Sequence, residues 1–224
     1  MLRPQDFFDL ASFEHRALFE GAEYVWRALE RLESYLSEVL EPRILGDVAP
    51  GAWVEGPVYI GPGTVVEPGA LVRGPAIIGP GCQLRHGCYV RGSVLVGKNC
   101  VIGHCTEVKS SILLDGAKAA HFNYVGDTIL GNRVKLGAGT ACSNLKLTPG
   151  SVVVEVNGRK METGLRKLGA IVGDDVETGC NAVLNPAAMI GPGARVYPGV
   201  SVRGFHPARS LLKLRQQIEQ AEVS

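Results

Sequence analysis

The sequence predicts an all-β solenoid, a left-handed parallel β-helix of hexapeptide repeats with α-helices at its N- and C-terminal ends. Three observations predict it. Aliphatic residues recur six apart without a break: Val48, Val54, Ile60, Val66, Val72, Ile78, Leu84, Val90, Val96, Ile102, Val108 and Leu114, then Ala120. Two residues before most of these stands a small or β-branched residue, as at Ala52, Val58, Thr64, Ala70, Ala76, Cys82, Cys88, Val94, Cys100, Thr106 and Ile112. Alternation at period two turns both residues of each pair to one side of a strand. Gly and Pro-Gly pairs (Gly56-Pro57, Gly61-Pro62-Gly63, Pro68-Gly69, Gly79-Pro80-Gly81) recur in the same phase and supply turns. Three short faces then close a triangular coil of about eighteen residues, and stacked coils cover one another's strand edges.

The elements follow in chain order. Residues 1–44 read as a helical cap, with Leu18, Val25, Leu29, Leu32, Leu36 and Val39 spaced for one apolar stripe. The repeats occupy 45–205. Their phase lapses after Ala120 and returns at Val172, Thr178, Leu184, Ile190, Val196 and Val202. Within that gap, 146–168 reads as a hairpin excursion turning at Asn157-Gly158, with a basic end at Arg166 and Lys167. Residues 206–224 read as a C-terminal helix, with Pro207 in its first turn and Leu211, Leu214 and Ile218 as its stripe. Both helices are expected to cover open ends of the solenoid.

Composition narrows the class. The 224 residues are 46% hydrophobic, and 23 Lys+Arg against 22 Asp+Glu leave a formal charge of +1, so no bulk attraction to nucleic acid or an anionic membrane is expected. No run approaches a membrane span, and the N-terminus carries acids where a signal peptide needs a basic start, so a cytoplasmic protein with reduced thiols is expected. Cys82, Cys88 and Cys100 take the small inward position of their hexads and read as core atoms.

Side chains eighteen apart should stack at about the 4.8 Å strand spacing. Arg73, Arg91 and Lys109 then form a column whose like charges need an anion or acids beside them, and Glu107 is a candidate partner. Arg85, Gly103 and His121 form a second column, with Gly103 leaving room beside His121. His121 interrupts the repeat within Ala120-His121-Phe122-Asn123-Tyr124, where basic residues and Tyr124 converge, and reads as an imidazole near an anion site. His86, His104 and His121 raise a three-histidine zinc site similar to that of the γ-type carbonic anhydrases as a competing chemistry, but that family pairs two ligands about five residues apart and neither of the other two histidines is that close to His121, so no metal is expected.

From Glu107 to Gly199 the chain resembles the glucosamine-1-phosphate acetyltransferase domain of the bifunctional UDP-N-acetylglucosamine pyrophosphorylases, in particular archaeal-type relatives. The stretches that carry the resemblance are Thr106-Glu107-Val108-Lys109-Ser110-Ser111, His121-Phe122-Asn123-Tyr124-Val125-Gly126-Asp127, Gly137-Ala138-Gly139-Thr140 and Ile171-Val172-Gly173-Asp174-Asp175. The resemblance implies an acetyl-CoA-dependent N-acetyltransferase acting on an amino sugar phosphate, working as a homotrimer. It makes His121 the catalytic base and makes Lys109, Tyr124 and Asn144 substrate-binding residues. Lys167 falls on a lysine that approaches from a neighbouring subunit, and Ala138 and Cys180 fall on the cofactor side. Arg91 fits the family's phosphate-binding arginine by its distance to Lys109 and Arg85 by local context, and Arg91 is preferred as the substrate-binding residue because eighteen residues put it directly beneath Lys109.

The chain departs from the family at Lys135, where an asparagine is usual, at Leu145, in place of a tyrosine, and in the longer 146–168 excursion. No Gly-rich nucleotide loop precedes the repeats, so uridylyl transfer is not expected. Two other readings stand beside this one: a non-catalytic sugar-phosphate-binding or assembly module, and an acetyltransferase for a different amino sugar or a sugar nucleotide.

Overall fold

The computed structural model describes residues 2–156, 158–215 and 218–222. These form a parallel β-solenoid. Among the described residues, every third strand stacks on its predecessor to give three parallel sheets of nine, nine and eight strands, called here A, B and C. Sheet A includes Ala76–Ile78 and Ser111–Leu113, sheet B Val101–His104 and Lys118–His121, and sheet C Tyr89–Arg91 and Tyr124–Gly126. The aliphatic residues of the hexads fill the interior, where Ile60, Val72, Leu84, Val90 and Val108 are fully buried. Cys82, Cys88 and Cys100 lie among them as free thiols.

The coil is eighteen residues in its early turns, with Val58 opposite Ala76 and Tyr89 opposite Glu107, seventeen from Val94 opposite Ser111 to Tyr124 opposite Ala141, and eighteen again after the excursion, with Ala170 opposite Ala188 and Val183 opposite Ser201. The lost residue is at one corner. Arg73 and Ala76 are joined by Gly74-Pro75 and Arg91 and Val94 by Gly92-Ser93, but Lys109 and Ser111 only by Ser110, and Gly126 and Thr128 only by Asp127. The inward residue after Val108 is therefore Leu113, and the next is Ala119, not the Leu114 and Ala120 expected from an unbroken period of six. Two inward hydroxyls satisfy the shortened corner: Ser111 donates to the Lys109 carbonyl at 2.7 Å and Thr128 to the Gly126 carbonyl at 2.8 Å. This step is the loss of phase seen after Ala120.

Sheet A is buried on its outer face as well. Its outward column runs Ile77, Leu95, Ile112, Ile129, Ile171, Met189 and Phe205. The N-terminal segment packs along this column through Phe7, Phe8, Phe13, Phe19, Trp26, Leu32 and Leu36. Residues 2–42 are thus a strap across one face, not a cap on an open end, and Arg43–Ile44 already pair with Tyr59–Ile60 as the first strand of sheet A. Only Arg27–Val39 of it is α-helix, with Ala28, Leu32 and Leu36 buried, because Gly21 at φ +65° breaks the chain before it. Two 3₁₀ turns, Pro4–Asp6 and Arg16–Phe19, carry the rest. The strap is hooked by buried Asp174, which accepts from the Asp9 N–H at 2.8 Å and the Asn132 N–H at 2.7 Å, while its own N–H donates to the Phe7 carbonyl.

The excursion forms the expected hairpin, Val153–Val156 against Arg159–Glu162, and Asn157 of its turn lies outside the described residues. Its Val152, Val154 and Val156 join the outer cluster on sheet A. The helix expected over 206–224 does not form among the described residues. Phe205–His206 and Leu211–Leu212 instead extend sheets A and B by pairing with Met189–Ile190 and Arg195–Val196. The exposed strand edge offers a ready hydrogen-bond ladder, which a short helix with no packing partner does not match.

Phe7→Ala should cost about 3–5 kcal/mol by opening the outer cluster, with the β-sheet circular dichroism retained below the transition. Unchanged stability in urea unfolding would contradict a strap packed on sheet A.

Candidate functional site

The shortened corner between sheets C and A sets the local geometry. Ser110 and Asp127 take positive φ, 46° and 47°, at the single-residue turns. Asp127 thereby meets the Lys109 ammonium at 3.0 Å, and the Asn144 side-chain amide also donates to its Oδ2. Gly126 has no Cβ because one would lie 2.7 Å from the Tyr124 hydroxyl and 2.8 Å from Asn144 Nδ2. Lys109, Tyr124 and Asn144, each singled out from sequence, are thus gathered around Gly126 together with Asp127, which sequence reasoning missed. Its signal was available in the hydroxyl pair Ser111 and Thr128, seventeen apart, which marks the lost residue.

The basic column on sheet C is real, with Arg73 opposite Arg91 and Lys109 next above. Each cation has its own acid: Arg73 pairs with Glu55 at 2.8 Å, Arg91 with Glu107 at 2.8 Å and Lys109 with Asp127. Like-charge repulsion is relieved rung by rung. The hydrogen bond to Glu107 holds the Arg91 pKa above the ordinary guanidinium value. Glu107 also stands opposite Tyr124, which ties Arg91 to the cluster. Arg85 instead reaches Gln83 at 2.9 Å.

His121 lies at the opposite edge of sheet C, exposed at the end of the sheet B strand Lys118–His121 and three residues from Tyr124, at most about 10 Å along an extended chain. It is opposite His104, not in a column with Arg85 and Gly103. The seventeen-residue coil shifts the pairing by one, and Gly103 accommodates backbone, since a Cβ there would strike the Ala120 carbonyl. His86 and His104 stack with ring centroids 5.7 Å apart. Among the described residues no three His, Cys, Asp or Glu side chains are grouped to hold a metal ion.

Ala138 and Cys180 follow His121 up the same B–C corner, as the Gly139 N–H to His121 carbonyl and Asn181 N–H to Ala138 carbonyl bonds fix the stacking. The Gly139 N–H is thus committed, whereas the Ala138 N–H donates to nothing among the described residues. Lys167 is exposed where the excursion returns, next to Leu168, whose N–H donates to the Asn144 carbonyl at 3.0 Å. The predicted residues therefore fall on two edges of one sheet: His121, Ala138 and Cys180 on the first, and Arg91, Lys109, Asn144 and Lys167 on or beside the second, with Tyr124 between. Lys135 is on neither, pairing with Glu177 on sheet B at 3.0 Å.

Residues 72–185 match the GMPPB C-terminal domain family. A bifunctional sugar-1-phosphate nucleotidylyltransferase/acetyltransferase of Sulfurisphaera tokodaii is 42% identical over 90 residues, which is 40% of this chain and 22% of that protein. Bifunctional protein GlmU of Methanococcus maripaludis is 38% identical over 79 residues (35% and 19%), and that of an Exiguobacterium species 35% over 104 residues (46% and 19%). The matched segment thus spans about a fifth of these curated relatives. The solved structure of an Arabidopsis UDP-N-acetylglucosamine acyltransferase covers 74% of this chain and 67% of its own, at 14% identity and a TM-score of 0.28. No helix among the described residues is long and apolar enough to cross a membrane.

The thiols give a check on this arrangement. Cys105 and Cys180 are exposed, and the other four are buried, with burial pushing Cys88 and Cys142 up to about 12. A chromogenic disulfide reagent should react quickly with Cys105 and Cys180 alone in the native protein, and with Cys82, Cys88, Cys100 and Cys142 only after unfolding.

Proposed function

The chain belongs to the GMPPB C-terminal domain family, which its residues 72–185 match, and on that premise we propose that it is an acyltransferase moving the acetyl group of acetyl-CoA to the amine of a phosphorylated amino sugar. The observation that carries the reading is the two-edged arrangement on sheet C. A histidine and an uncommitted backbone N–H stand on one edge. Opposite them is a polar cluster of Lys109, Asp127, Asn144 and Tyr124 with Arg91 one rung below. The names of the relatives, which include a sugar-1-phosphate nucleotidylyltransferase/acetyltransferase, support the same reaction class.

In this mechanism the acceptor lies across sheet C, held by Asn144 and Tyr124 at the sugar and by Arg91, Lys109 and Lys167 at the phosphate. Part of the rate comes from positioning alone. His121 accepts a proton from the attacking amine, nitrogen adds to the thioester carbonyl, and the Ala138 N–H donates to the oxyanion. Collapse of the tetrahedral adduct breaks the carbon–sulfur bond and releases the coenzyme thiolate, which takes up the proton held by His121. The cofactor extends from Ala138 past Cys180 along the B–C corner. We place the working unit as a homotrimer in the cytoplasm, in which a neighbouring copy supplies Lys167.

His121→Ala should lower turnover by roughly 10²–10⁴, the usual worth of one acid–base group, while leaving the assembly and ligand binding intact. Thiol release from acetyl-CoA across a panel of phosphorylated amino sugars measures it. Near-normal turnover would remove His121 from the mechanism, and no acetylation of any acceptor would favour a binding module.

Arg91→Ala should weaken the phosphorylated acceptor by about 1.5–3 kcal/mol, the worth of a charged hydrogen bond, and leave coenzyme A binding unchanged. Equal weakening of both ligands would assign the column a purely structural part.

A further inference from the structure

The basic column of sheet C continues upward beyond the site. Above Lys109 come Gly126, Ser143, Asn185 and Arg203, in register through the pairs Val125–Cys142, Cys142–Leu184 and Leu184–Val202. The three intermediate residues are small, so the column dips between Lys109 and Arg203. Four rungs at about 4.8 Å each separate those two cations. In the dip opens a cleft of about 520 Å³, lined by Ser143, Asn185 and Arg203 and walled by Leu145, Leu147 and Pro186, with Lys146 beside them.

Arg203 differs from the cations below it. Arg73, Arg91 and Lys109 each have a carboxylate, whereas among the described residues neither Arg203 nor Lys146 has one. Lys146 spends a single N–H on the Ser151 carbonyl. Two cations without acids, beside a cleft, favour an anion from outside the chain. The wall is apolar and open: Leu147 is fully exposed and Leu145 is 44% exposed. Apolar surface of this kind beside cationic donors suits a ligand with a flat apolar ring system attached to phosphate groups.

We propose that this cleft binds the nucleoside diphosphate portion of a nucleotide-linked amino sugar, so that the acetyl acceptor is the sugar nucleotide and not the simple sugar phosphate. The inference rests on the proposed function in placing the acceptor on sheet C. The sugar lies at Asn144 and Tyr124 with the phosphate on its anomeric carbon at Lys109, as in the proposed function, and the second phosphate and the nucleoside run upward to Arg203 and Lys146. The base lies against Leu145, Leu147 and Pro186. Coenzyme A carries the same chemistry in its own nucleotide tail, but that ligand is assigned to the B–C corner, across sheet C from the cleft. The two ligands would lie side by side, meeting at the level of His121.

The test is calorimetric titration of the full chain with uridine diphosphate and guanosine diphosphate, with pyrophosphate, glucosamine 1-phosphate and coenzyme A as comparisons. At least one nucleoside diphosphate should bind about tenfold or more tighter than pyrophosphate, and Arg203→Gln should remove about tenfold or more of that affinity. Coenzyme A and glucosamine 1-phosphate should bind the variant as they bind the parent, and saturating coenzyme A should leave nucleoside diphosphate binding unchanged. Competition with coenzyme A would give the cleft to the cofactor, and equal binding of pyrophosphate would reduce it to an anion site. Failure of both nucleoside diphosphates to bind, or an Arg203→Gln variant that binds them unchanged, would also overturn the proposal. None of these readouts depends on acetyl transfer, so an inactive chain that binds as described would count against the reaction alone.

Discussion

The constraint on which the rest depends is that each coil must hydrogen-bond to the coil below it along three sheets at once. Stacked parallel strands tie a residue's surroundings to the length of the preceding coil. A single residue lost at one corner therefore shifts every pairing that follows. At the corner holding Ser110 this happens, and it happens again at Asp127 one coil later. The inner column is kept by moving from Val108 to Leu113 and from Val125 to Leu130. The carbonyls left by the missing residue are taken up by Ser111 and Thr128. What the shortening provides is a tight turn that sets a carboxylate against a lysine and an asparagine.

Much of the fold was legible in the sequence because its rule is periodic. Inward aliphatics, the small residues beside them and the glycine turns follow one rule across the early coils, and the basic column follows from it. Sequence reasoning failed where the period itself changed. Assuming eighteen residues throughout put His121 beside Gly103, whereas the seventeen-residue coil puts it beside His104. The strap was misread for a different reason. Its apolar stripe was visible, but the surface it packs on was written as runs of three apolar residues in several sheet A strands, as in Ala76-Ile77-Ile78 and Ala188-Met189-Ile190. A run of that kind marks a strand buried on both faces. The final strands were missed because Leu211 and Leu214 suit a helical stripe, and only the open edge above Arg195 favours strand pairing.

Electrostatics on sheet C follow the same geometry. Residues on one column lie a strand spacing apart, close enough that an unbroken row of arginines and lysines would repel strongly. The chain answers with an acid beside each of the lower cations, from Glu55 and Glu107 on the same face and from Asp127 at the corner. The Lys109–Asp127 pair is also the least exposed of the three, at 14% and 18% of the side-chain surfaces. Its lysine is fixed in place, with Asn144 held by the same carboxylate. The upper part of the column is left unbalanced, so its charge faces outward.

The strap has a consequence for how such a protein can change over generations. A solenoid whose coils contact only their neighbours gains or loses a coil by simple duplication or deletion, because each interface is locally complete. Here Phe7 meets the ring of Phe205 near the far end, while Leu95 and Ile77 are covered by the same segment. The strap works as a ruler laid along the coils. Adding or removing one coil would move Phe205 by a strand spacing and leave the hook at Asp174 out of step, so the number of coils is fixed by the length of a segment that belongs to none of them.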